Sequence, residues 1–512
     1  MNFKLLTFAI LSVPFLASAD DVPSKFYVWQ KNGSVIPYVI SEVDSISFAR
    51  VSAKVSLISG QDSQIVKQNE LLSPIAYEVQ YASSVVVKGL PKGVDFHVSS
   101  GNNGLLNVSI EGTPREAGEF PFSVVTMGGA DETTVSGIIL VEEAQQICSS
   151  TATELAAKMN LGINIGNTFE VCADWLGTNE SNETGWGSPV ITKKMIENYK
   201  NFGFNTIRIP VSWNYYASAN GGVIPDFWKN RIKEVVEWCM EYDLYVILNI
   251  HWDKGWLEEH VDASSKNSVN ATQKNLWTQI ANHFNEFDER LVFASSNEPG
   301  RTANDENNMI LKSYHQTFVD AVRATGGYNA SRCLIVQCFN TSSEECVTAN
   351  KILPTDVIEN RLMMEFHYYP YTYALMEEDA DWGRMDFFWG EPYKGTSING
   401  VERWCDWNTE QTVEKEFSSI KNTYVKLGVP VIMGEFQAMN RDKNLSGNDL
   451  AKFEENRNYY YNFLVKTAKN NGIVPVLWDT PDNLFDRSAG TCLHPKALDG
   501  LLKGASEGKY PW

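Results

Sequence analysis

A regular series of short apolar runs, beginning near residue 161, is the feature that most constrains the fold of this chain. The runs are rich in aliphatic residues and alternate with longer segments that have the apolar spacing of amphipathic helices. Their spacing of about 40 residues leaves room for one helix and its loops after each strand. The sequence therefore predicts an α/β domain, a (β/α)₈ TIM barrel over residues 150–512. The eight predicted strands are 161–166, 204–210, 245–251, 291–297, 333–339, 362–368, 429–435 and 473–478.

The residues before the barrel show a different pattern. From residue 50 to 143, short apolar runs alternate with turn residues, and no segment has a convincing helical spacing. This pattern predicts a small all-β sandwich, which would act as a spacer or a weak binding module. Residues 20–49 are predicted to form a short β segment, either a separate hairpin or part of the sandwich. The polar connector Glu142–Gln146 separates this region from the barrel.

The first 19 residues have the features of a targeting segment. They contain Lys4, an apolar stretch from Leu5 to Leu16 and the small residues Ala17-Ser18-Ala19, a pattern typical of a cleaved secretory signal peptide at residues 1–19. No later apolar run approaches the roughly 20 residues that are needed to span a bilayer. The sequence therefore predicts a secreted protein, extracellular, periplasmic or at the cell surface, without membrane insertion.

The net charge of −20 narrows the choice of partners. Such an acidic chain repels polyanions, so nucleic acid is excluded as an expected partner and a neutral ligand fits better. The eight cysteines all lie from Cys148 onward and form no CxxC pair, which argues against zinc and leaves one or two disulfides open. We expect a monomer that uses no metal and no cofactor.

Polar residues gather at the downstream ends of the predicted strands. The carboxyl ends of parallel strands face one mouth of a barrel, so these side chains are candidates for a functional site. Two of them are glutamates, and a pair of carboxylates is the arrangement that acid/base cleavage of a glycosidic bond requires. In chain order the candidates are Arg208, His251, Asn297, Glu298, His367, Tyr369, Glu435 and Trp478.

At these positions the chain resembles glycoside hydrolase family 5. The matching motifs span residues of about 155 to 500, and their occurrence in the family's order makes the resemblance specific. A second resemblance, over residues 50–143, is to the immunoglobulin-like domains of secreted bacterial enzymes; it rests on pieces such as Gly89-Leu90-Pro91 and Ile110–Pro114. The family 5 motifs are Gly162–Thr168, Asn205–Trp213, Asn249–His251, Asn297–Pro299, His367–Tyr369, Gly434–Phe436 and Trp478–Asp479.

The resemblance to family 5 implies a role for each glutamate. Glu298 corresponds to the general acid/base and Glu435 to the nucleophile of a retaining mechanism. For these roles the carboxyl of Glu298 should be protonated, with a raised pKa, and that of Glu435 should be ionised. Arg208 and Tyr369 are expected to stabilise the ionised form of Glu435 through hydrogen bonds.

The other four candidates are expected to bind substrate. Asn297 is suited to hydrogen-bond the sugar 2-hydroxyl, and His251 and His367 can bind other hydroxyls. His367 can also position Glu298. Trp478 offers a flat apolar face for the sugar ring at the cleaved position.

The interval between the sixth and seventh predicted strands is rich in aromatic residues. A long segment there lies above the mouth of a barrel, where aromatic side chains either cover the core or bind sugar rings. Both functions are left open for its six large aromatic residues. They are Trp382, Phe387, Phe388, Trp389, Trp404 and Trp407.

The resemblance implies a secreted retaining endo-β-1,4-glucanase that acts on cellulose-like glucan, mixed-linkage glucan or xyloglucan. An endo-β-1,4-mannanase on the same scaffold is the nearest alternative, because glucose and mannose differ only at the 2-hydroxyl. A non-catalytic carbohydrate-binding barrel and a metal-dependent hydrolase with His251, His367 and a carboxylate as ligands are further alternatives. The first strand, Asn164-Ile165-Gly166, lacks the His-X-His pattern typical of barrel metalloenzymes.

Overall fold

The computed structural model describes residues 24–43, 51–101, 104–143, 147–300, 302–348, 353–481 and 483–512. The predicted signal peptide at residues 1–19 lies outside these ranges and stays a prediction. The chain divides into two compact units, residues 1–144 and 145–512.

Two strands near the N-terminus form a hairpin of their own. Strand β1 (Lys25–Trp29) pairs antiparallel with β2 (Val35–Val39), with Lys25 opposite Val39. Gly33 has a φ of 85°, which the tight turn between the strands requires and which glycine adopts without strain. Neither strand pairs with another in the described part of the chain. Of the two arrangements left open, the structure has the separate hairpin for the described residues 24–43.

Eight further strands in the first unit form two four-stranded sheets. Their orders are β3-β5-β8-β7 and β4-β10-β9-β6, and buried side chains from both sheets form one core. The prediction of an all-β sandwich is therefore confirmed, whereas the immunoglobulin-like assignment and the role of this unit stay predictions. The strands are β3 (Lys54–Ser59), β4 (Ser63–Lys67), β5 (Ile75–Gln80), β6 (Ser84–Lys88), β7 (Val94–Ser100), β8 (Leu106–Gly112), β9 (Gly118–Met127) and β10 (Thr134–Glu142).

The second unit contains a closed barrel of parallel strands, as the spacing of the apolar runs predicted. Its order is β11-β12-β13-β14-β15-β16-β19-β20, so every strand lies next to its neighbour along the series. Two short hairpins, β17-β18 and β21-β22, lie outside the barrel. The strands are β11 (Gly162–Asn164), β12 (Thr206–Ile209), β13 (Tyr245–Asn249), β14 (Leu291–Ala294), β15 (Leu334–Gln337), β16 (Leu362–Tyr368), β17 (Ser397–Ile398), β18 (Val401–Glu402), β19 (Val431–Phe436), β20 (Ile473–Leu477), β21 (Phe485–Asp486) and β22 (Thr491–Cys492).

Helices alternate with the barrel strands, and some of them start at a capping residue. Thr192 precedes α2 and its hydroxyl accepts a hydrogen bond from the Met195 amide, while Thr151 and Glu154 form a capping box at α1. No helix in the described ranges is long and apolar enough to cross a membrane. The helices are α1 (Ala152–Met159), α2 (Lys193–Asn201), α3 (Asn214–Ala219), α4 (Asp226–Glu241), α5 (Lys266–His283), α6 (Asp305–Arg323), α7 (Ser343–Thr348), α8 (Tyr371–Ala374), α9 (Glu410–Thr423), α10 (Gly447–Asn470) and α11 (Pro495–Glu507).

One apolar cluster of the second unit joins α1 to the barrel strands. Leu155 and Met159 of α1 are fully buried and belong to the same cluster as Ile247, Val292 and Ile432 of the strands. Burying each of these side chains contributes about 1.5–3 kcal/mol. The sequence of α1 thus fixes one apolar contact of the barrel.

The described cysteines form no disulfide. All eight side chains are free thiols, and all but Cys492 are buried. The disulfides that the sequence left open are therefore not present in this structure.

Candidate active site

The structure brings six of the eight predicted residues into one cluster at the carboxyl ends of the barrel strands. Several of the strands are shorter than predicted, so some of these residues lie in the loops that follow the strands. Strand β14, for example, ends at Ala294, so Asn297 and Glu298 lie in the loop that follows. Ser296 leaves the strand ladder there, and its amide donates a hydrogen bond to the Gln337 side chain instead of to a backbone carbonyl.

Arg208, on β12, is the buried centre of the cluster. Its Nη1 lies 2.9 Å from Glu435 Oε1, and its Nη2 lies 2.9 Å from Asn297 Oδ1. Nη1 also donates to Asn164 Oδ1 at 2.9 Å, and Nε lies 3.1 Å from Glu365 Oε1. A guanidinium offers five donors in a fixed plane, so this side chain can hold several acceptors in place at once.

Glu435, on β19, is held by two donors of different kinds. Arg208 Nη1 donates to its Oε1, and the Tyr369 hydroxyl donates to its Oε2 at 2.8 Å. A register shift between Phe366 and His367 places His367 opposite Glu435 on neighbouring strands. Such an irregularity redirects side chains at the end of a strand. Both contacts that the sequence predicted for Glu435 are present.

His367 connects the two predicted glutamates. Its Nδ1 lies 2.7 Å from Glu298 Oε1 and 3.6 Å from Glu435 Oε2. Carboxylate oxygens of Glu298 and Glu435 and a nitrogen of His367 all lie within 4.8 Å of one another. The side chain of Glu298 is 44% exposed, whereas that of Glu435 is 7% exposed. The carboxylate of Glu298 is therefore the more accessible of the two to solvent.

The electrostatics of the cluster differ from the sequence prediction for Glu298. Burial raises the pKa of the Glu298 carboxyl, but the hydrogen bond and charge of His367 outweigh it, and the net pKa is lowered. Burial lowers the pKa of His367, but the carboxylates of Glu435, Glu298 and Glu365 raise it to about 10. Burial raises the pKa of Glu435, against the charges of His367 and Arg208. The expectation of a raised pKa for Glu298 is thus wrong: His367 lowers the pKa of this carboxyl, and the pKa of His367 is the one that is raised.

Glu365, on β16, is a member of the cluster that sequence reasoning missed. It is fully buried, lies 3.3 Å from His367 Nε2 and accepts a hydrogen bond at 2.6 Å from Gln337 Nε2. A Cβ at position 434 would lie 1.9 Å from Glu365 Oε1, so Gly434 makes room for this carboxylate. A charged residue inside an otherwise apolar buried strand was the signal in the sequence, because such a residue requires a partner.

A second buried glutamate lies behind Glu298. Glu258 Oε1 accepts a hydrogen bond at 2.6 Å from the Glu298 amide, and the Glu258 carboxyl also bonds the Asn297 side chain. Burial, aided by the negative charge of Glu298, raises the pKa of Glu258 to about 8. Since Asn297 Oδ1 accepts from Arg208, the side chain of Asn297 is fixed from both ends.

His251 and Trp478 pair with each other through their rings. The ring planes are nearly parallel, at 6°, with centroids 5.8 Å apart. Burial lowers the pKa of His251 well below its ordinary value, and the charges of Arg208 and His367 add to this effect, so the imidazole is neutral. A Cβ at Gly166 would lie 2.9 Å from the Trp478 indole, so the glycine of the first motif makes room for this ring.

The charges in the cluster argue against the alternative of a metal-dependent hydrolase. Glu298, His367 and Glu435 are a group whose ligand atoms are close enough to hold a cation. However, Arg208 already lies 2.9 Å from Glu435, and His367 is held protonated by the surrounding carboxylates. Two positive charges repel a cation, and a protonated imidazole is not a ligand. These residues are better suited to proton transfer than to metal binding.

Comparison with known proteins agrees with this geometry. The model of the family "Cellulase (glycosyl hydrolase family 5)" matches residues 166–483. A xyloglucan-specific endo-β-1,4-glucanase of Bacteroides ovatus is 35% identical over 365 residues, which cover 69% of this chain and 70% of the relative. Endoglucanase A of Paenibacillus barcinonensis is 34% identical over 390 residues, which cover 70% of this chain and 92% of that protein.

Solved structures show the same relationship. A Bacteroides ovatus family 5 xyloglucanase, in complex with a XXXG heptasaccharide, matches with a TM-score of 0.64 and 27% identity, covering 88% of this chain and 100% of that one. A xyloglucan-specific β-1,4-glucanase from a ruminal metagenomic library matches with a TM-score of 0.63 and 33% identity, covering 71% of this chain and 98% of that one. This chain therefore belongs to glycosyl hydrolase family 5 and is a glycoside hydrolase.

Proposed function

We propose that this protein is a secreted, retaining endo-β-1,4-glucanase, with xyloglucan and unsubstituted or mixed-linkage β-glucan as its substrates. The observation that carries the proposal is the approach of Glu298 and Glu435, whose carboxylate oxygens lie within 4.8 Å of each other. Retaining glycosidases place the two carboxyl groups about 5–5.5 Å apart, whereas inverting enzymes leave about 6.5–9.5 Å for a water molecule. The short separation supports the retaining mechanism.

In the first step, Glu435 attacks the anomeric carbon while the bond to the leaving sugar oxygen breaks. The carboxylate Oε2 bonded to Tyr369 and the Oε1 bonded to Arg208 are the two candidate attacking atoms. The leaving oxygen takes a proton from Glu298, so that the departing chain leaves as an alcohol and the enzyme retains a glycosyl ester. In the second step, Glu298 removes a proton from water, which attacks the same carbon and releases Glu435.

The proton for the first step is already in the cluster. His367 Nδ1 lies 2.7 Å from Glu298 Oε1, within hydrogen-bonding distance, so a proton on this nitrogen can pass to Glu298 once the pKa of the carboxyl rises. Transfer from His367 leaves a neutral imidazole and a protonated Glu298. Substrate that covers the exposed carboxylate of Glu298 removes it from water and so favours its neutral form. His367 thus acts as the proton reservoir of the acid/base.

The substrate class is supported by the relatives. The matched proteins are named endoglucanases, and those with solved structures include xyloglucanases. The net charge of −20 also favours a neutral polysaccharide over an anionic one. Secretion rests on the predicted signal peptide at residues 1–19, and a monomeric state stays a prediction.

One preparation assayed on several polysaccharides tests the proposed function. We expect release of reducing ends from soluble xyloglucan, mixed-linkage β-glucan and carboxymethyl cellulose, with a rapid fall in viscosity because internal bonds are cut. Proton NMR of the first products should show the β-anomer before mutarotation, as retention requires. Faster hydrolysis of β-1,4-mannan than of all three glucans, or an α-anomeric first product, would contradict the proposal.

A chelator provides the control for the metal alternative. Enzyme dialysed against EDTA is expected to keep its full rate on xyloglucan, because the proposed steps need only Glu298, Glu435 and the residues that hold them. Loss of activity that is restored by a divalent cation would favour the metal-dependent mechanism instead.

Substituting Glu365 with glutamine is expected to shift the pH dependence of the reaction. Glu365 raises the pKa of His367, so removing its charge lowers that pKa from about 10. The proton shared by His367 and Glu298 is then lost at lower pH, and the alkaline limb of kcat/KM should move down by about one pH unit. The measurement is a pH profile on soluble xyloglucan. Glu416→Gln, a partly buried glutamate bonded to Ser343, is the control, and an unmoved limb in Glu365→Gln would refute the reservoir role.

A further inference from the structure

A cavity lies where α10 packs against the start of α11, and it is here called the α10–α11 cavity. Its volume is about 300 Å³, and it is lined by Glu454 and Arg457 of α10 and by residues 494–497. None of these residues takes part in the chemistry proposed for Glu298 and Glu435. Pro495 and Lys496 of the lining are exposed, so small solutes can enter from solvent.

Arg457 is a buried cation with few hydrogen-bond acceptors. Its side chain is among the largest that are fully buried, and the residue is 1% exposed. Its Nε has no hydrogen-bond partner among the described residues, and Nη2 makes a long contact of 3.5 Å with the Ala438 carbonyl. The guanidinium also lies 5.9 Å from the ring of Phe453. Because a guanidinium has five donors and a buried charge without a partner is costly, these contacts leave Arg457 poorly satisfied.

The acidic side chains around Arg457 are paired with other cations. Glu454 lies 3.1 Å from Lys496, and Asp479 lies 3.3 Å from Arg487. Asp479 also interacts with the charge of Arg457, at longer range. The charged residues of the lining are therefore two cations, Arg457 and Lys496, and one carboxylate. The cavity has a local excess of positive charge.

The first turn of α11 adds two backbone donors to the cavity. The helix begins at Pro495, and the side chain of His494 before it makes no capping hydrogen bond. Proline has no amide hydrogen, and the Leu498 amide donates to the His494 carbonyl at 3.1 Å. The amides of Lys496 and Ala497 have no acceptor among the described residues. Free amides at a helix N-terminus carry partial positive charge and bind anions.

Side chains hold the walls of the cavity in place. Asn458 of α10 donates to the Lys496 carbonyl at 2.7 Å, which fixes the first turn of α11 against α10. The Asn440 amide lies 3.0 Å from His494 Nε2. Burial and the charge of Arg457 lower the pKa of His494, so its imidazole is neutral. A site whose walls are already fixed loses little conformational entropy when a ligand binds.

The donors of the cavity indicate the class of ligand. A guanidinium, an ammonium group and two backbone amides together suit an anion with several acceptor oxygens. The volume of about 300 Å³ equals that of about ten water molecules, so a polyatomic anion fits. A single-atom anion such as chloride could not contact all of these donors. The net charge of the whole chain, −20, disfavours large polyanions but not a small ion in a locally positive cavity.

We propose that the α10–α11 cavity binds a small inorganic oxyanion of the phosphate type, held by Arg457, by Lys496 and by the free amides at the start of α11. The bound ion compensates the buried charge of Arg457 and links the two helices that follow β19 and β20. It therefore stabilises the barrel and supplies no group to the cleavage of a glycosidic bond. The proposal does not depend on the identity of the substrate.

Calorimetric titration of the protein with sodium phosphate, at pH 7 and constant ionic strength, tests the proposal. We expect one site with a Kd below about 1 mM. Arg457→Met keeps an unbranched side chain but removes the guanidinium, and it should raise the Kd at least about tenfold. Lys496→Met keeps the backbone amide and should raise the Kd about threefold. Lys503→Met, which removes an exposed cation elsewhere on α11, is the matched control and should leave the Kd unchanged.

Thermal unfolding provides a second readout. Phosphate or sulfate at about 10 mM should raise the Tm of the wild-type protein by about 2 °C, whereas chloride at equal ionic strength should not. The weak stabilisation that these oxyanions give by exclusion from protein surfaces would be the same in every variant. Arg457→Met should lose the shift. In buffer without phosphate its Tm should not fall, because an apolar side chain replaces a poorly paired buried charge.

The outcomes separate a built site from a cavity filled by water. The absence of binding to the wild-type protein up to about 20 mM phosphate, or the same Kd in wild type and Arg457→Met, would overturn the proposal. Equal binding of chloride would also overturn it, since the site would then not select an oxyanion. If Arg457→Met does not fold, Lys496→Met decides: a weaker Kd supports the site, and an unchanged Kd overturns it.

Discussion

Replacing Glu435 with alanine is expected to abolish turnover, with kcat on soluble xyloglucan reduced at least about 10⁴-fold, because no other group can form the glycosyl ester. Folding should remain nearly intact. Arg208 keeps Glu365 at 3.1 Å and Asn297 at 2.9 Å, so its charge is not left without partners. The measurements are steady-state rates and a thermal unfolding curve for both proteins.

The chemistry of azide distinguishes a nucleophile from any other essential residue. In Glu435→Ala, azide can occupy the space left by the carboxylate and attack the anomeric carbon of an activated β-glycoside, with the aryl alcohol as leaving group. The product should be an α-glycosyl azide, because one displacement inverts the configuration. Glu286→Ala, which removes an exposed glutamate paired with Lys233, should behave as wild type. Substantial residual turnover in Glu435→Ala would refute the assignment.

The barrel could be predicted from the sequence because each of its strands is specified by a short pattern of neighbouring residues. Each strand is a short run of buried aliphatic residues, and the interval between runs sets the connection as one helix. The ends of the strands were predicted less well. The run 291–297 ends as a strand at Ala294, since Ser296 bonds the Gln337 side chain rather than the neighbouring backbone. Polar residues that continue a strand and polar residues that leave it have the same sequence pattern.

The residues that sequence reasoning missed or left without a role are those whose partners are distant in the chain. Glu365 and Glu258 depend on contacts with Arg208 and with the Glu298 amide, which the fold alone brings together. The family motifs identified Arg208 and Tyr369, which hold Glu435, but neither Glu365 nor Glu258. A buried glutamate in an apolar strand still carries a usable signal, because an unpaired charge there would be costly.

The protonation state of Glu298 also depends on a residue that is distant in the chain. The pKa of this carboxyl was expected to be raised by burial and by the charge of Glu435. The carboxylate of Glu435 does lie within 4.8 Å of it. The sequence predicted that His367 positions Glu298, but not the effect of that contact on the two pKa values. At 2.7 Å, His367 lowers the pKa of Glu298, while the pKa of His367 rises to about 10. The location of one proton in a group of carboxylates depends on distances of a few tenths of an ångström.

Replacing Glu298 with glutamine is expected to give a loss that depends on the leaving group. The amide cannot donate the proton that the departing sugar oxygen requires, so kcat/KM on xyloglucan should fall by about 10²–10⁴-fold. A 2,4-dinitrophenyl glycoside leaves without protonation, so its first step should slow by less than about tenfold. Pre-steady-state release of dinitrophenol followed by slow turnover would reveal the two steps separately. His367 should remain in place, because the amide oxygen of glutamine can accept from its Nδ1.

Azide again provides the decisive control, with the opposite stereochemistry. In Glu298→Gln the nucleophile is intact, so the glycosyl ester on Glu435 forms and accumulates. Azide needs no general base and should attack this ester from the face that water would use, to give a β-glycosyl azide and a faster turnover. An α-azide from this variant, or an equal loss of rate on activated and natural substrates, would contradict the assignment of Glu298 as the acid/base. The two glutamate variants should therefore yield azides of opposite configuration, a result that roles limited to folding or binding would not produce.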